Sequence, residues 1–447
     1  MKRFLTLIGL ALAGPLAAQT APQETVTVEK CDNVTVTTAT ESDLEQLVAD
    51  AECYARRMTS AANSQRYRLA KAKEISAAAT FAEPEPEPMP EPISSGFIPS
   101  PSLEGAVAAS FGFDVDLGLE PAWGSGSIPE IYHETEGAFR FTCGGDGPLV
   151  YDDPVIYPNR PGVSHLHLAW GSYEFDAFTT PETLAAEPRT NCNASEYSLN
   201  RSLYWMPALL DDMGRVRRPD LVSVYYKRAR SVSPQCTKGS ARYMGECVGL
   251  PSEIRFVFGW DMNAPNAPVQ GASWYCSGGT GKHFSNLDDV FASGCGEGDT
   301  LVANTVAPPC WDGKNLDSPD HRSHMAFGSY GSTGVYKCPA THPFVIPQEE
   351  NKATWTVTAD MVTADRKSRI RLASDGMKPD AKPGETLHAD YVEKWDPEAK
   401  RLWLANCIEK GLSCSGGDLG NGQQLAGAAQ PSYGWKIPES RVAIPAR

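Results

Sequence analysis

Apolar and polar residues alternate with a period of two along several short segments in the second half of the chain. These segments cover residues 222–226, 254–258, 355–358 and 369–372, and turn-forming residues separate them. Because successive side chains of a β-strand point to opposite faces of a sheet, this alternation predicts strands with one buried face. The spacing predicts a mainly β domain, either a β-sandwich or a jelly-roll-like fold, with peripheral helices.

One of those helices is predicted close to the end of the chain. Asp396 can cap it, Pro397 suits the first helical position, and apolar residues follow on one face. Gly411 marks the point where this helix is expected to end.

The segment from residue 24 to residue 80 has a different pattern. Valines alternate with threonines over residues 25–38, which predicts a strand or small hairpin. Apolar residues then follow helical spacing from Leu44 to Ala79, which predicts one amphipathic helix or a hairpin bent at residues 63–64. An apolar stripe has to be buried, so this segment either packs on the main domain or forms a homo-oligomer through residues 44–58.

Two further segments set the boundaries of the predicted domains. The basic start, the apolar residues 4–12 and the small residues that follow predict a secretory signal peptide over residues 1–18. Residues 83–92 alternate Glu with Pro, so a stiff linker is expected, extended by Gly, Ser and Pro over residues 81–135. The main domain is then expected over residues 136–447, in a secreted protein of the extracellular space or periplasm with no transmembrane segment.

Charge and cysteine content narrow the function classes. Forty Lys and Arg against 55 Asp and Glu give a net charge of −15, which disfavours a nucleic-acid partner. The 12 cysteines include no C-x-x-C pair, so structural disulfides in an oxidising compartment are expected. Short loops favour three pairs in the main domain and one in the amino-terminal region: Cys236 with Cys247, Cys276 with Cys295, Cys407 with Cys414, and Cys31 with Cys53.

The first candidate site combines Asp153 with the H-x-H pair His165 and His167. On a strand the two imidazoles would share a face, a spacing that suits a chelated metal or a general base beside a substrate-orienting group. The alternative is that each imidazole makes one buried hydrogen bond in the core.

The second candidate site is the polar segment 310–325, whose composition cannot be explained by burial. A carboxylate could orient a neighbouring imidazole here, and two cations could bind an anionic group of the substrate. The alternative is a disulfide-held loop whose side chains satisfy its own backbone. The residues concerned are Asp320, His321, His324, Lys314 and Arg322.

The third candidate site is His388 with Asp390, again two apart on an expected strand. Three places with His and Asp, in a chain with eight His, favour convergence on one pocket. The same residues could hold a divalent metal ion, with His165 and His167 joined by His324 or His388.

Several aromatic residues could form a stacking surface for sugar rings, although such residues more often belong to a core. The candidates are Trp311, Tyr225, Tyr226 and Trp205.

Several long motifs occur in an order that resembles a known family. They lie at residues 153–158, 164–167, 199–207, 224–227, 310–326 and 407–420. Over about residues 136–422 the chain resembles the domain-of-unknown-function family numbered nineteen ninety-six. That family is known mainly from secreted fungal proteins, with bacterial members, and some carry cell-wall carbohydrate-binding modules. The resemblance implies an extracellular role near polysaccharide and supplies no catalytic residues.

These observations lead to the hypothesis of a carbohydrate-active enzyme, a hydrolase or lyase acting on extracellular polysaccharide through a His and Asp cluster. The alternative is a non-catalytic protein that binds an extracellular matrix or a cell-envelope glycan. The catalytic candidates are His165, His167, Asp320, His321, His324, His388, Asp153 and Asp390.

Overall fold

The computed structural model describes residues 111–122, 136–193, 195–332, 334–428 and 441–446. The predicted signal peptide, the segment 24–80 with its expected oligomer contact, the Glu-Pro segment and the Cys31 to Cys53 pair lie outside the described residues.

Short strands make up most of the regular structure. In chain order they are β1 Leu119–Pro121, β2 Glu136–Gly144, β3 Leu149–Val150, β4 His167–Gly171, β5 Leu203–Pro207, β6 Leu209–Asp211, β7 Arg215–Arg217, β8 Leu221–Ala229, β9 Glu246–Cys247, β10 Arg255–Gly259, β11 Ala272–Cys276, β12 Thr300–Val306, β13 Cys310–Trp311, β14 Met325–Ala326, β15 Ser329–Tyr330, β16 Tyr336–Lys337, β17 Phe344–Val345, β18 Gln348–Thr356, β19 Ile370–Leu372, β20 His388–Val392, β21 Gln423–Leu425 and β22 Arg441–Ala443. The helices are α1 Pro181–Ala186, α2 Leu287–Ala292 and α3 Pro397–Trp403, with a π-helical turn Leu404–Ile408 and 3₁₀ turns Val115–Gly118, Ala359–Met361 and Asp375–Met377.

Two five-stranded antiparallel sheets pack face to face. Sheet A has the order β10-β20-β5-β4-β3, and sheet B has the order β11-β12-β18-β8-β2. Their inner faces meet in one large apolar core, where the Tyr226 hydroxyl of sheet B lies 2.6 Å from that of Tyr204 and 2.9 Å from that of Tyr391, both in sheet A. The prediction of a mainly β, sandwich-like domain is confirmed.

Sheet A is buried on both faces, because residues of each strand alternate between two separate clusters. Tyr204 and Tyr391 point into the core between the sheets, whereas Trp205 and Val392 point outward into a second apolar cluster. His167, His388 and Asp390 have the outward parity of their strands, so the fold brings polar groups into this second buried layer.

Five disulfides cross-link the described part of the chain. The three predicted pairs, Cys236–Cys247, Cys276–Cys295 and Cys407–Cys414, are confirmed. Two further bridges, Cys143–Cys192 and Cys310–Cys338, span longer stretches of sequence. Five bridges are typical of a protein that folds in an oxidising compartment.

The predicted helix near the end of the chain is present as α3. Its cap Asp396 accepts hydrogen bonds from the backbone amides of Glu398 and Ala399, and Pro397 occupies the first helical position. After the π-helical turn, Gly411 has a φ of 70°, a conformation that favours glycine. None of the helices in the described ranges has the length and apolar character needed to cross a membrane.

Residues 111–122 lie within the segment that composition assigns to a linker. They form a 3₁₀ turn capped by Asp114, followed by β1, which pairs antiparallel with β21. Leu119 lies opposite Leu425 in this pair and packs against the main core.

Candidate functional site

The candidate site lies on the outer face of sheet A. His167 opens β4, and His388 and Asp390 lie on β20, with β5 between these two strands. Trp205 of β5 is the cross-strand partner of Asp390, so an indole separates the two polar strands. His165 precedes β4 by two residues and lies next to His167.

Three imidazoles form a compact cluster. The ring centres of His165 and His167 are 4.1 Å apart, and that of His388 lies 5.1 Å from His165 and 6.5 Å from His167. One ring nitrogen of each residue lies within 4.8 Å of the other two. This is the arrangement of a candidate metal site built from side chains that are about 220 residues apart in sequence.

Backbone carbonyls orient two of the three rings. Nδ1 of His167 lies 2.9 Å from the carbonyl oxygen of Asp152, and Nδ1 of His388 lies 2.8 Å from that of Thr386. A carbonyl only accepts, so each Nδ1 carries the proton and donates it. The lone pair of each ring is therefore on Nε2, and metal-binding histidines are commonly fixed by such a bond on the other ring nitrogen.

The imidazoles are held in their neutral form. Burial lowers the pKa of His165 well below 6.5, and the neighbouring His167 and His388 lower it further. Burial also lowers the pKa of His167, against the opposing effect of Asp153, and lowers that of His388 to about 3. Neutral imidazole is the form that binds a metal ion.

Unsatisfied polar atoms are concentrated at this site. Buried polar atoms normally have a hydrogen-bond partner, since leaving one unpaired costs free energy. Around the cluster, six buried side-chain atoms have no hydrogen-bond partner among the described residues: Ser164 Oγ, His165 Nε2, His167 Nε2, Trp205 Nε1 and both carboxyl oxygens of Asp390. These atoms are therefore available to bind water, a metal ion or another ligand.

Asp390 is the most deeply buried carboxyl at the site. Burial raises its pKa well above the usual range, and the charge of Asp153 adds to this, while Arg322 acts in the opposite direction. Asp153 is held differently, because one of its oxygens accepts hydrogen bonds from the amides of Val155 and Ile156.

The polar loop of the second candidate site reaches the same place. His321 accepts, through its carbonyl, a hydrogen bond from the amide of Val257 on β10. Arg322 then donates to the carbonyls of Gly259 and Trp260, which carries its guanidinium over the end of β10. The loop therefore follows the edge of sheet A as far as the cluster.

Asp320 is the other residue of this loop at the site. Burial alone would raise its pKa, but hydrogen bonds from the Ser323 amide, the Ser318 hydroxyl and the Arg322 amide lower it instead. Asp320 is consequently an ionised carboxylate at the rim.

One narrow cleft joins residues of the three candidate sites. His167 lies behind this cleft, fully buried. The charged and imidazole side chains in its lining are Asp153, His165, Asp320, Arg322, His388 and Asp390.

Two other histidines of the loop are placed outside the cleft lining. His321 Nδ1 lies 2.8 Å from Asp317, which also binds Arg255. His324 is buried, bonds the Ser318 hydroxyl through Nδ1, and packs beside Phe256. The third imidazole of the cluster is therefore His388, one of the two residues that the sequence left open, and not His324.

The aromatic and cationic candidates are spread over the molecule. Tyr226 and Trp311 are core residues, and Trp311 donates to the carbonyl of Asn315. Trp205 lies beside His167, with ring centres 6.4 Å apart. Tyr225 is on the outer face of sheet B, on the other side of the sandwich, and Lys314 is exposed.

Sequence reasoning missed Trp260, whose ring centre lies 6.0 Å from that of His388 in the cleft wall. The available signal was its position two residues after the predicted strand 254–258 and next to Asp261, since binding residues often follow the end of a strand.

The sequence model of one family, described as Domain of unknown function (DUF1996), matches residues 153–395. This span is more than half of the 447 residues and contains the whole cleft lining and all three imidazoles. The match confirms the resemblance seen in the motifs. Comparisons with curated proteins and with solved structures found no match.

Proposed function

The chain belongs to the DUF1996 family, and from this premise we propose that it is a metal-dependent enzyme whose His165, His167 and His388 bind one divalent transition-metal ion. The observation that carries the proposal is the group of three neutral imidazoles whose ring nitrogens lie within 4.8 Å of one another. Three histidine ligands with an open fourth position are typical of catalytic zinc sites.

The distances between the ring nitrogens fit such an ion, as does the imidazole donor type. Metal–nitrogen bonds of about 2.0–2.1 Å place the nitrogens of a tetrahedral site roughly 3.3 Å apart. The three rings therefore need to shift inward by only about 1 Å, and the bound ion would satisfy the unpartnered Nε2 atoms of His165 and His167.

A bound ion of this kind supplies a Lewis acid and lowers the pKa of a water ligand to about 7. The chain supplies the carboxyl groups that such chemistry requires. Asp153, Asp320 and Asp390 line the cleft, where one can hold or deliver a proton at the reacting bond. Arg322 lies in the same wall and can orient an oxygen-rich substrate by donating hydrogen bonds.

The substrate class that we propose is an extracellular polysaccharide, cleaved by hydrolysis or by elimination. The five disulfides are compatible with a secreted protein, and the motif resemblance implies a location near polysaccharide.

The first experiment measures the metal content of the protein, purified without chelators or affinity metals, by elemental mass spectrometry. We expect close to one equivalent of a transition metal in the wild type and in His283→Ala, an exposed histidine bonded to Ser273. His388→Ala should lose it. A wild type that takes up no zinc, copper, manganese or iron, or a His388→Ala variant that retains the ion, would overturn the metal site.

The second experiment separates an enzyme from a binding protein. Wild type, His165→Ala and His283→Ala are incubated with a panel of polysaccharides, and new reducing ends or unsaturated products are measured. We expect turnover of at least one polysaccharide, lost in His165→Ala only. Metal binding without turnover of any member of the panel would favour the non-catalytic alternative.

A further inference from the structure

The outer face of sheet B, on the opposite side of the sandwich from the cleft, carries a group of charged side chains around one aromatic ring. Arg140 of β2 and Glu350 of β18 are both cross-strand partners of Tyr225 on β8. Lys227 and Lys352 share this face at positions two residues from Tyr225 and from Glu350. We name these five residues the sheet-B stripe.

Three cations surround the ring of Tyr225. The guanidinium of Arg140 lies 5.2 Å from the ring centre, and the ammonium groups of Lys227 and Lys352 lie 4.6 Å and 4.8 Å from it. Arg140 also donates a hydrogen bond to the Tyr225 hydroxyl. The negative face of an aromatic ring attracts cations, so Tyr225 holds together three like charges that would otherwise repel one another.

The stripe has more positive charge than its own carboxylate neutralises. Glu350 pairs with both Lys227 and Lys352, the latter at 3.1 Å. Three cations against one carboxylate leave an excess of two positive charges within the stripe. That local excess occurs in a chain whose net charge is −15, so it is opposite to the charge of the whole molecule.

A second aromatic group extends the same face toward the other edge of the sheet. Tyr275 of β11 has the ring of His283 against it, with ring centres 4.8 Å apart, and both are accessible to solvent. Through the register of the sheet Tyr275 is level with Thr354 and Leu221, four residues along the strands from Glu350 and Tyr225, so this pair lies apart from the stripe. The cations of the stripe itself lie on three neighbouring strands, β18, β8 and β2, which are spaced about 4.8 Å apart, and an extended polymer with acidic groups at regular intervals is complementary to them.

We propose that the sheet-B stripe binds the carboxylate groups of an acidic polysaccharide of the polyuronate class, at a site separate from the His cleft. The cations of Arg140 and Lys352 pair with successive carboxylates, and Tyr225 keeps the cations in place. The proposal does not depend on the metal site, because the two surfaces are on opposite faces of the sandwich.

The test is calorimetric titration of the full chain with oligogalacturonate, and with the methyl ester of the same oligosaccharide as the uncharged probe. The stripe variant is the double substitution Arg140→Gln and Lys352→Gln. The matched control, Lys314→Gln with Lys367→Gln, removes two exposed cations elsewhere. A third variant, His388→Ala, tests the cleft.

We expect oligogalacturonate to bind the wild type, the matched control and His388→Ala alike. The stripe variant should bind roughly tenfold to a hundredfold more weakly, as for loss of hydrogen bonds to charged groups. Binding should also weaken as salt increases. If circular dichroism shows that the stripe variant is unfolded, Lys227→Gln alone replaces it, with an expected weakening of about threefold.

Four results would overturn the proposal: no binding of oligogalacturonate to the wild type, equal binding of the methyl ester, unchanged binding in the stripe variant, or equal loss in the matched control. Loss of binding confined to His388→Ala would assign the polyuronate to the cleft instead. Because the metal content is measured independently, failure of the stripe and failure of the metal site are distinguishable.

Discussion

Two buried aspartates in this molecule, Asp375 and Asp390, differ in the hydrogen bonds that their carboxyl groups accept. The carboxylate of Asp375 accepts hydrogen bonds from the amides of Leu372, Gly384 and Thr386 and from the Thr386 hydroxyl. Asp390 has no hydrogen-bond partner for either oxygen among the described residues. Both are nearly inaccessible, so burial does not distinguish them, and hydrogen bonding does.

The same contrast holds for the regions around them. The turn after β19 is closed by the hydrogen bonds of Asp375, and burial raises the pKa of this carboxyl while those bonds lower it. On the outer face of sheet A, polar side-chain atoms of three strands have no partner among the described residues: His167 on β4, Trp205 on β5 and Asp390 on β20. A polar group that satisfies its own surroundings stabilises the fold, whereas a cluster that does not indicates a ligand site.

The largest expected effect comes from isosteric substitutions at the two aspartates. Asp375→Asn leaves buried amides facing an amide nitrogen, so the free energy of unfolding should fall by about 3 kcal/mol. Asp390→Asn removes no hydrogen bond and replaces a buried carboxyl whose pKa is raised, so at pH 7 the free energy of unfolding should stay unchanged or increase. Both changes in the free energy of unfolding are measured by guanidinium denaturation of the metal-free protein with its disulfides intact. Equal losses at the two positions would abolish the contrast.

A somewhat smaller effect is expected at His324, whose hydrogen bonding is intermediate between that of Asp375 and that of Asp390. Its Nδ1 is hydrogen-bonded to the Ser318 hydroxyl, and its Nε2 is buried without a partner among the described residues. Burial lowers its pKa to about 4 from the usual 6.5. Between these two pKa values the unfolded chain binds a proton at His324 that the folded chain does not. The contribution of His324 to the free energy of unfolding is therefore fully present above pH 6.5 and is lost as the pH falls toward 4.

At pH 5 the folded wild type should be less stable than at pH 7 by about 2 kcal/mol through His324 alone. His324→Gln cannot be protonated, so its loss between these two pH values should be smaller by that amount. Unfolding curves of both proteins at pH 7 and pH 5 give the difference. Identical pH dependence would show that His324 is not held neutral by its surroundings.

The smallest effect concerns two tryptophans on neighbouring strands. Trp170 Nε1 donates to the amide oxygen of Asn351, whereas Trp205 Nε1 has no hydrogen-bond partner in the described part of the chain. Replacing either indole with phenylalanine removes similar packing, but only Trp170→Phe also breaks a hydrogen bond. We expect Trp170→Phe to be the more destabilising by about 1 kcal/mol in the same unfolding assay. The reverse order would contradict the contrast.

Local features of the fold could be predicted from the sequence because their causes are local. The alternating segments 222–226 and 254–258 fall in β8 and β10, and the cap at Asp396 begins α3. The three short-loop disulfides followed from spacing. Cys143–Cys192 and Cys310–Cys338 did not, because tertiary structure brings their ends together over 49 and 28 residues.

In the candidate site too, local spacing could be predicted from the sequence, whereas contacts between distant segments could not. The two-residue spacing of His388 with Asp390 predicted a shared face, and both residues have the same parity on β20. His165 lies beside His167, but it precedes β4 and is not part of the sheet. That His388 joins the cluster depends on the order β20-β5-β4, which a single sequence does not reveal. His324 is as polar in sequence, but the Ser318 hydroxyl holds it elsewhere.

The loop that brings Arg322 to the cleft also affects how the protein behaves at high concentration. β10 is the last strand of sheet A, and its outward amides at Arg255 and Val257 are occupied by the carbonyls of Leu316 and His321. An uncovered edge would offer these amides to a strand of another chain, the usual first step of edge-to-edge aggregation. Variants in which this loop is shortened or loosened to change the cleft will therefore also expose the unpaired backbone amides of β10. We expect such variants to be less soluble than the wild type.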